Sequence, residues 1–255
     1  MTVMAGFARA SDVPNLQNLN VNQANQVIEN FGTALLFRSV EPPSSYADIF
    51  GVSFGFIGAV TSADQINGSL NLNPKVPAVP ALDLYAGAQF PLGLAIELGF
   101  LPRLDVGDFS ARRFGFNAKW TFTDVFLRDQ IPFDAAFRLG YGNTSLSYAQ
   151  TIASIQDTIK FESKSIQTQL AFSRKFGIVE PYLGLGYVRL DSTLTNTATA
   201  VDVFAFTQAL SYGIKKGGFW FNAGAELKLL FLTLAAEYHN TFGLSTGVAK
   251  LGFKF

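Results

Sequence analysis

The sequence has no cysteine and a single histidine. Without cysteine there is no disulfide framework and no thiolate metal site. With one histidine, His239, no histidine pair can hold a metal, and no clustered carboxylates offer the spacing to replace one. Charge is scarce, at 15% of residues, where an average soluble domain carries roughly 25%. Lysine plus arginine equals aspartate plus glutamate, 19 against 19, so no basic surplus points to nucleic acid. Long apolar runs are missing too. The purest, Leu229 to Ala236, falls far short of the ~20 residues that a spanning helix needs. The longest uncharged run, Leu139 to Gln156, is full of Ser, Thr, Asn, Gln and Gly.

What the chain has in plenty is apolar residues, 49% of the total, with 26 Phe and 23 Gly in 255 positions. That is a membrane composition without a membrane helix. The remaining way to satisfy every backbone polar group in lipid is a closed β-barrel.

The first ten residues, MTVMAGFARA, end in a small-x-small triplet, Ala8-Arg9-Ala10, behind a short apolar patch. Residues 1–10 are read as the tail of a secretory signal cleaved after Ala10. From Asn15 to Leu36 the spacing is helical. Ala24, Val27, Ile28, Phe31 and Leu35 share one stripe, and Asn22, Gln23, Asn25, Gln26, Glu29 and Asn30 cover the rest. Pro42-Pro43 forbids continuation. Residues 11–45 are therefore an N-terminal amphipathic helical segment, placed as a plug in the lumen or at the periplasmic mouth.

Residues 46–255 change to period two. Phe50, Val52, Phe54 and Phe56 alternate with Gly51, Ser53 and Gly55; Phe114, Phe116, Ala118 and Trp120 alternate with Arg113, Gly115, Asn117 and Lys119. Equivalent splits recur around residues 82–90, 94–99, 133–142, 165–173, 182–187, 219–228, 232–239 and 249–255. The expected fold class is all-β: an antiparallel transmembrane barrel of ten strands, or of twelve if the segment VDVFAFTQALSYGI adds a pair. A soluble barrel would turn the same apolar face inward. The wide aromatic face on every strand, the Gly-rich charged face, and aromatics gathered at the strand ends favour the inverted, lipid-facing arrangement.

The closing strand, GVAKLGFKF, resembles the C-terminal signature of bacterial outer-membrane β-barrels, which ends in Phe. The stretch NAGAELKLLFLTLAAEYHNTFGLSTGVAKLGFKF is similar to the last three strands of small OmpA-like and opacity-type barrels, except for its very short connection from His239 to Gly243. The N-terminal helix loosely resembles the hatch of FadL-like fatty acid transporters, without their Asn-Pro-Ala motif. The resemblance implies the bacterial outer membrane as location, lipid and the barrel-assembly machinery as partners, and Phe253 and Phe255 as assembly signal. With the last strand running toward the periplasm, turns near Pro91, Asp124–Ile131, Lys175–Gly177 and Leu229 are periplasmic. Ser62–Pro80, Ser145–Thr158 and Leu190–Lys216 become outer connections.

The expected lumen-lining residues are Asp83, Glu97, Arg113, Lys119, Asp134, Arg138, Glu226, Lys228, Glu237 and His239, joined by Lys250 and Lys254. His239 follows Glu237 and precedes Ser245 and Thr246. Outer-membrane hydrolases use His and Ser on adjacent strands, but a lone interior histidine with hydrogen-bond partners is the commoner case, so no catalytic residue, enzyme activity, metal or cofactor is expected. The balanced charges fit a salt-bridged, closed interior or a narrow polar path. Ten glycines on the polar face, Gly99, Gly115 and Gly142 among them, leave a small barrel underfilled, and the helix is expected to occupy that space. The expected function is a narrow or plugged channel or transporter for small solutes. The alternative is a structural barrel that binds other envelope proteins.

Overall fold

The computed structural model describes residues 20–47, 49–71, 73–127, 130–152, 155–200 and 206–255. The signal-like residues 1–10 and the first part of the expected helix lie outside them. Helix α1, Val21–Ala34, begins at an Asn20 cap. The Asn20 side chain accepts from the Gln23 backbone amide at 2.9 Å, and Gln23 returns the bond to the Asn20 amide at 3.1 Å, a reciprocal capping box. The expected helix reached Leu36. In the structure it stops at Ala34, and the chain continues without helix or strand through Tyr46, bending at Pro43, Ser44 and Tyr46.

Ten strands follow: β1 Gly51–Ser62, β2 Ala78–Gln89, β3 Leu94–Val106, β4 Phe109–Trp120, β5 Asp134–Ile152, β6 Ile155–Ser173, β7 Val179–Ala200, β8 Phe206–Leu229, β9 Leu232–Thr241 and β10 Leu244–Lys254. Short helices α2, Asp64–Leu70, and α3, Thr123–Phe126, interrupt the β1–β2 and β4–β5 connections. Each strand pairs antiparallel with its sequence neighbours, and β1 pairs with β10 to close the barrel. The seam runs on through Phe255, whose amide and carbonyl bond Val52 at 2.9 Å each.

Two expected outer connections are strands instead. Residues 145–152 and 155–158 pair through a continuous β5–β6 hairpin, and 190–200 and 206–216 prolong β7 and β8. Strands β5 to β8 hold 19, 19, 22 and 24 residues, about twice the 9–11 that cross a bilayer. They were hidden because their faces invert. Lower on β7, Leu183, Leu185 and Tyr187 point outward and are exposed; higher up, Leu190 and Leu194 are buried inside while Thr193, Thr195 and Thr197 face out. The same switch occurs on β6, between outward Ile166 and buried Phe161, and on β8, between outward Phe219 and the inward-packed Ile214.

The inside of the upper wall needs apolar residues because α1 lies there. Ile28, Phe31 and Leu35 pack against Phe161, Leu194, Leu146, Ile159, Tyr212 and Ile214. The opposite flank of α1, through Ala34 and Phe31, packs on Ala63, Ile66, Leu70 and Val79. Gln23 and Gln26 tie it to Ser69 of α2 at 3.0 and 2.7 Å. The helix thus sits inside the long-strand end of the barrel, with its N-terminus open at that end.

Candidate functional site

Leaving α1, residues Leu35–Tyr46 descend through the lumen to the short-turn end, where β1 begins. Leu36 to Ser44 are buried, Ser39 only partly. An irregular segment inside a barrel has no ladder partner, so its carbonyls must find other donors. The wall supplies them as side chains. Thr144 donates to the Leu35 carbonyl at 3.3 Å and Gln167 to that of Phe37 at 2.8 Å. Arg138 donates to Glu41, Lys119 to Pro42 and Ser44 at 3.3 and 3.0 Å, and Thr121 to Pro43 at 2.5 Å. Pro42 and Pro43 have no N–H of their own, which suits a wall that here presents donors.

The strap's side chains fit the wall as closely. Phe37 lies flat against the backbone of Gly99 and Gly115, where an added Cβ would overlap its ring. These glycines make space as expected, but for Phe37 and not for the helix stripe. Gly55 and Gly252 likewise admit the ring of Tyr85, and Gly186 admits Trp220. Arg38 turns back to cap α1, donating to the carbonyls of Thr33, Ala34 and Leu36, groups that a helix end leaves unpaired.

Glu41 meets the most positive part of the wall. Its carboxylate is 3.6 Å from both Lys250 and Lys254 and 3.9 Å from Lys119. Glu226 takes shorter bonds from Lys250 and Lys254, at 2.8 and 2.7 Å. Glu226 and the strap's Glu41 are the carboxylates paired with these three lysines, and Glu97 is buried in the same lumen. Burying a cation is tolerable only with such pairing.

A second network lies beside Phe37. Glu237 accepts from Tyr182 at 2.7 Å and from Asn222, and His239 Nε2 stands 2.5 Å away. Gln169 links Asn222, at 2.6 Å, to Arg138, at 3.1 Å. His239 stacks on Trp220 with ring centres 5.5 Å apart. Ser245 points out of the barrel to the Tyr238 hydroxyl at 2.9 Å, away from the inward His239. Thr246 is engaged with Thr61, at 2.8 Å.

Of the expected lumen residues, Asp83, Glu97, Arg113, Lys119, Arg138, Glu226, Glu237 and His239 are buried inside, as are Lys250 and Lys254. Asp83 and Arg113 form a two-pronged pair. Two residues belong elsewhere. Asp134, the first residue of β5, is half-buried at the short-turn rim, and Lys228, one residue before the end of β8, is exposed there. Their strands end too soon to carry them into the lumen. Sequence reasoning missed Phe37, Arg38 and Glu41. Their one signal is an Arg and a Glu three residues apart beside Pro42-Pro43, in a stretch without period.

The interior cavity between the strap and Arg138, Gln169 and His239 measures about 20 Å³, room for one water. A larger hollow of about 530 Å³ lies on the outer wall, where Gly58, Ala249, Ala236 and Ala225 stand in register across β1, β10, β9 and β8. Among the described residues no group of three or more His, Cys, Asp or Glu is placed to hold a metal ion.

Residues 38–255 match the family of unknown function DUF6588. The chain belongs to that family. The match begins at Arg38, so the lower strap and all ten strands fall inside it and α1 falls outside. No curated protein sequence matches the chain. Several solved structures match over most of the chain at low identity. The translocator domain of the autotransporter NalP from Neisseria meningitidis is similar at 11% identity and a TM-score of 0.46, over 92% of this chain and 94% of that one. Ail, the attachment invasion locus protein of Yersinia pestis, solved with a heparin analogue, is similar at 13% identity and 0.35, over 82% and 100%. A FadL homologue of Pseudomonas aeruginosa gives 8% and 0.33, over 88% and 95%. The fold itself is a closed antiparallel barrel of ten strands.

Proposed function

We propose that the protein is an outer-membrane barrel held shut by its own strap, a gated passage for small solutes rather than an open pore. The membrane reading is supported by the inversion of the strand faces. Below Tyr141, Tyr187 and Phe219 the apolar side chains face out; above them they face in. That is the pattern of a wall passing from lipid into water with an aromatic belt at the boundary. The long-strand end is then the exterior, the short-turn end the periplasm, and Val21 is presented outside.

The observation that carries the gate is the strap itself. It runs through the lumen with Leu36 to Ser44 buried, Ser39 only partly, yet non-covalent contacts alone hold it to the wall, chiefly through Phe37, Glu41 and its own carbonyls. A passage would open by withdrawing these residues. Proteoliposome swelling with small sugars tests this. Vesicles containing the native protein stay tight, and vesicles containing Glu41→Gln swell. Tight vesicles with both would leave the second reading, a structural barrel. That reading is favoured by the four-strand wall β5–β8, which stands beyond the apolar belt with Thr193, Thr195 and Thr197 facing out.

A further inference from the structure

The connections at the short-turn end are apolar at their tips. Leu92 stands in the β2–β3 turn, Phe126 in α3, Phe176 and Ile178 between β6 and β7, and Leu230 and Phe231 between β8 and β9. All are exposed, Leu230 to 86% and Leu92 to 68%. Leu92 and Leu230 also adopt left-handed backbone, with φ of 63° and 55°. At Leu230 this falls on the first position of a two-residue hairpin turn, where glycine is favoured. A leucine there is disfavoured sterically, and water offers its side chain nothing in return.

Phe242, at the opposite end, shows what normally compensates such a residue. Its φ is 54°, but its ring lies under the Lys216 ammonium at 4.9 Å and packs against the cluster around Leu36 and Trp220. The tips at Leu92 and Leu230 instead stand exposed, at 68% and 86%. Their neighbours down the wall are Phe90, Leu94, Leu229 and Phe255, all exposed and part of the outward apolar face. The apolar surface therefore runs unbroken from the belt onto the turns. Among the described residues at this end, the basic side chains are the more exposed. Arg174, Lys175 and Lys228 are exposed, while Asp124, Asp134 and Glu180 are half-buried, Asp124 and Glu180 being bonded to Ser45 and Ser44 of the strap. Arg174 lies over the Phe176 ring at 5.2 Å, its charge beside an apolar tip.

We propose that the short-turn end is a lipid-docking face, with its tips sunk in the interfacial layer of the bilayer and Arg174, Lys175 and Lys228 meeting lipid phosphates. This rests on the reading of the outward face as a lipid belt. Interfacial burial gives Leu92 and Leu230 the apolar surroundings that offset their backbone strain, and basic side chains flanking aromatic ones suit the headgroup region.

The absence of native cysteine makes the test direct. Single cysteines at Leu230, Leu251 and Asp108 are labelled with an environment-sensitive fluorophore and the protein is placed in phosphatidylethanolamine–phosphatidylglycerol vesicles. Nitroxides are carried at the lipid headgroup or mid-chain, and iodide is added to the water. The label at 230 should be quenched by the headgroup nitroxide and shielded from iodide. The label at 108 should show the reverse, and that at 251 should be quenched by mid-chain nitroxide. A label at 230 open to iodide and untouched by nitroxide, with 251 still quenched, overturns the docking face and leaves the belt intact. Loss of quenching at both 230 and 251 overturns the belt as well. Shielding at 230 that grows with protein density, without nitroxide quenching, assigns the face to a second copy and also overturns the proposal. In a parallel arm, Leu92→Asn with Leu230→Asn should raise the urea midpoint in micelles and lower insertion into vesicles. Unchanged insertion overturns it.

Discussion

Phe37 rests on the bare backbone of Gly115, so closely that a single added methyl there would occupy the space of its ring. Each residue explains the other. The ring is buried in the lumen, and the glycine is the surface that lets it lie there. Replacing Gly115 by Ala should displace Phe37 and loosen the strap by ~1–3 kcal/mol, the usual cost of overpacking. Phe37→Ala leaves a void and should cost about 3–5 kcal/mol. Amide hydrogen exchange across residues 36–45 reads both, and each should speed exchange there while β9 and β10 stay protected.

Glu41 is the strap's one carboxylate among Lys119, Lys250 and Lys254. Glu41→Gln keeps the shape and removes the charge, stranding part of that positive cluster. The strap should lose about 3–5 kcal/mol of anchoring, the cost of breaking a buried pair, and become cleavable by added protease in folded barrels. Glu41→Asp should restore part of the protection, since the charge remains but its reach shortens.

Val21 is 62% exposed at the long-strand end. A cysteine there should react with a membrane-impermeant maleimide on intact cells, whereas one at Leu230 should not. Reaction at Leu230 alone would reverse the orientation.

Phe255 closes the seam through its two bonds to Val52 and stacks with Phe231 and Phe54 at ring distances of 6.1 Å. Its deletion should lower the amount of assembled barrel in cells, measured by heat-modifiable gel migration, while refolding into micelles persists. Normal cellular levels would show that the residue only packs.

The barrel was legible wherever the outward face is apolar, because Phe and Leu at every second position stand out against Gly and charge. It became illegible where that contrast turned over. On β7 beyond Tyr187 the outward residues are Asp191, Thr193, Thr195 and Thr197, and the apolar ones face α1, so the run reads as a polar loop. The strap was hidden for a different reason. Leu36 to Ser44 form no ladder and face the wall on all sides, which leaves no periodicity to detect. The helix was visible from its stripe, but the stripe does not say which wall it meets. It meets Phe161 and Leu194, not the glycines.

Single-channel conductance in planar bilayers tests the central claim most directly, comparing the native protein with a variant lacking residues 20–45. The native barrel should be silent or open only in brief events, and the shortened one should conduct steadily while still shifting on gels when boiled. Steady conductance from the native protein, or silence from a folded barrel without its strap, would contradict a lumen closed by Phe37, Arg38 and Glu41.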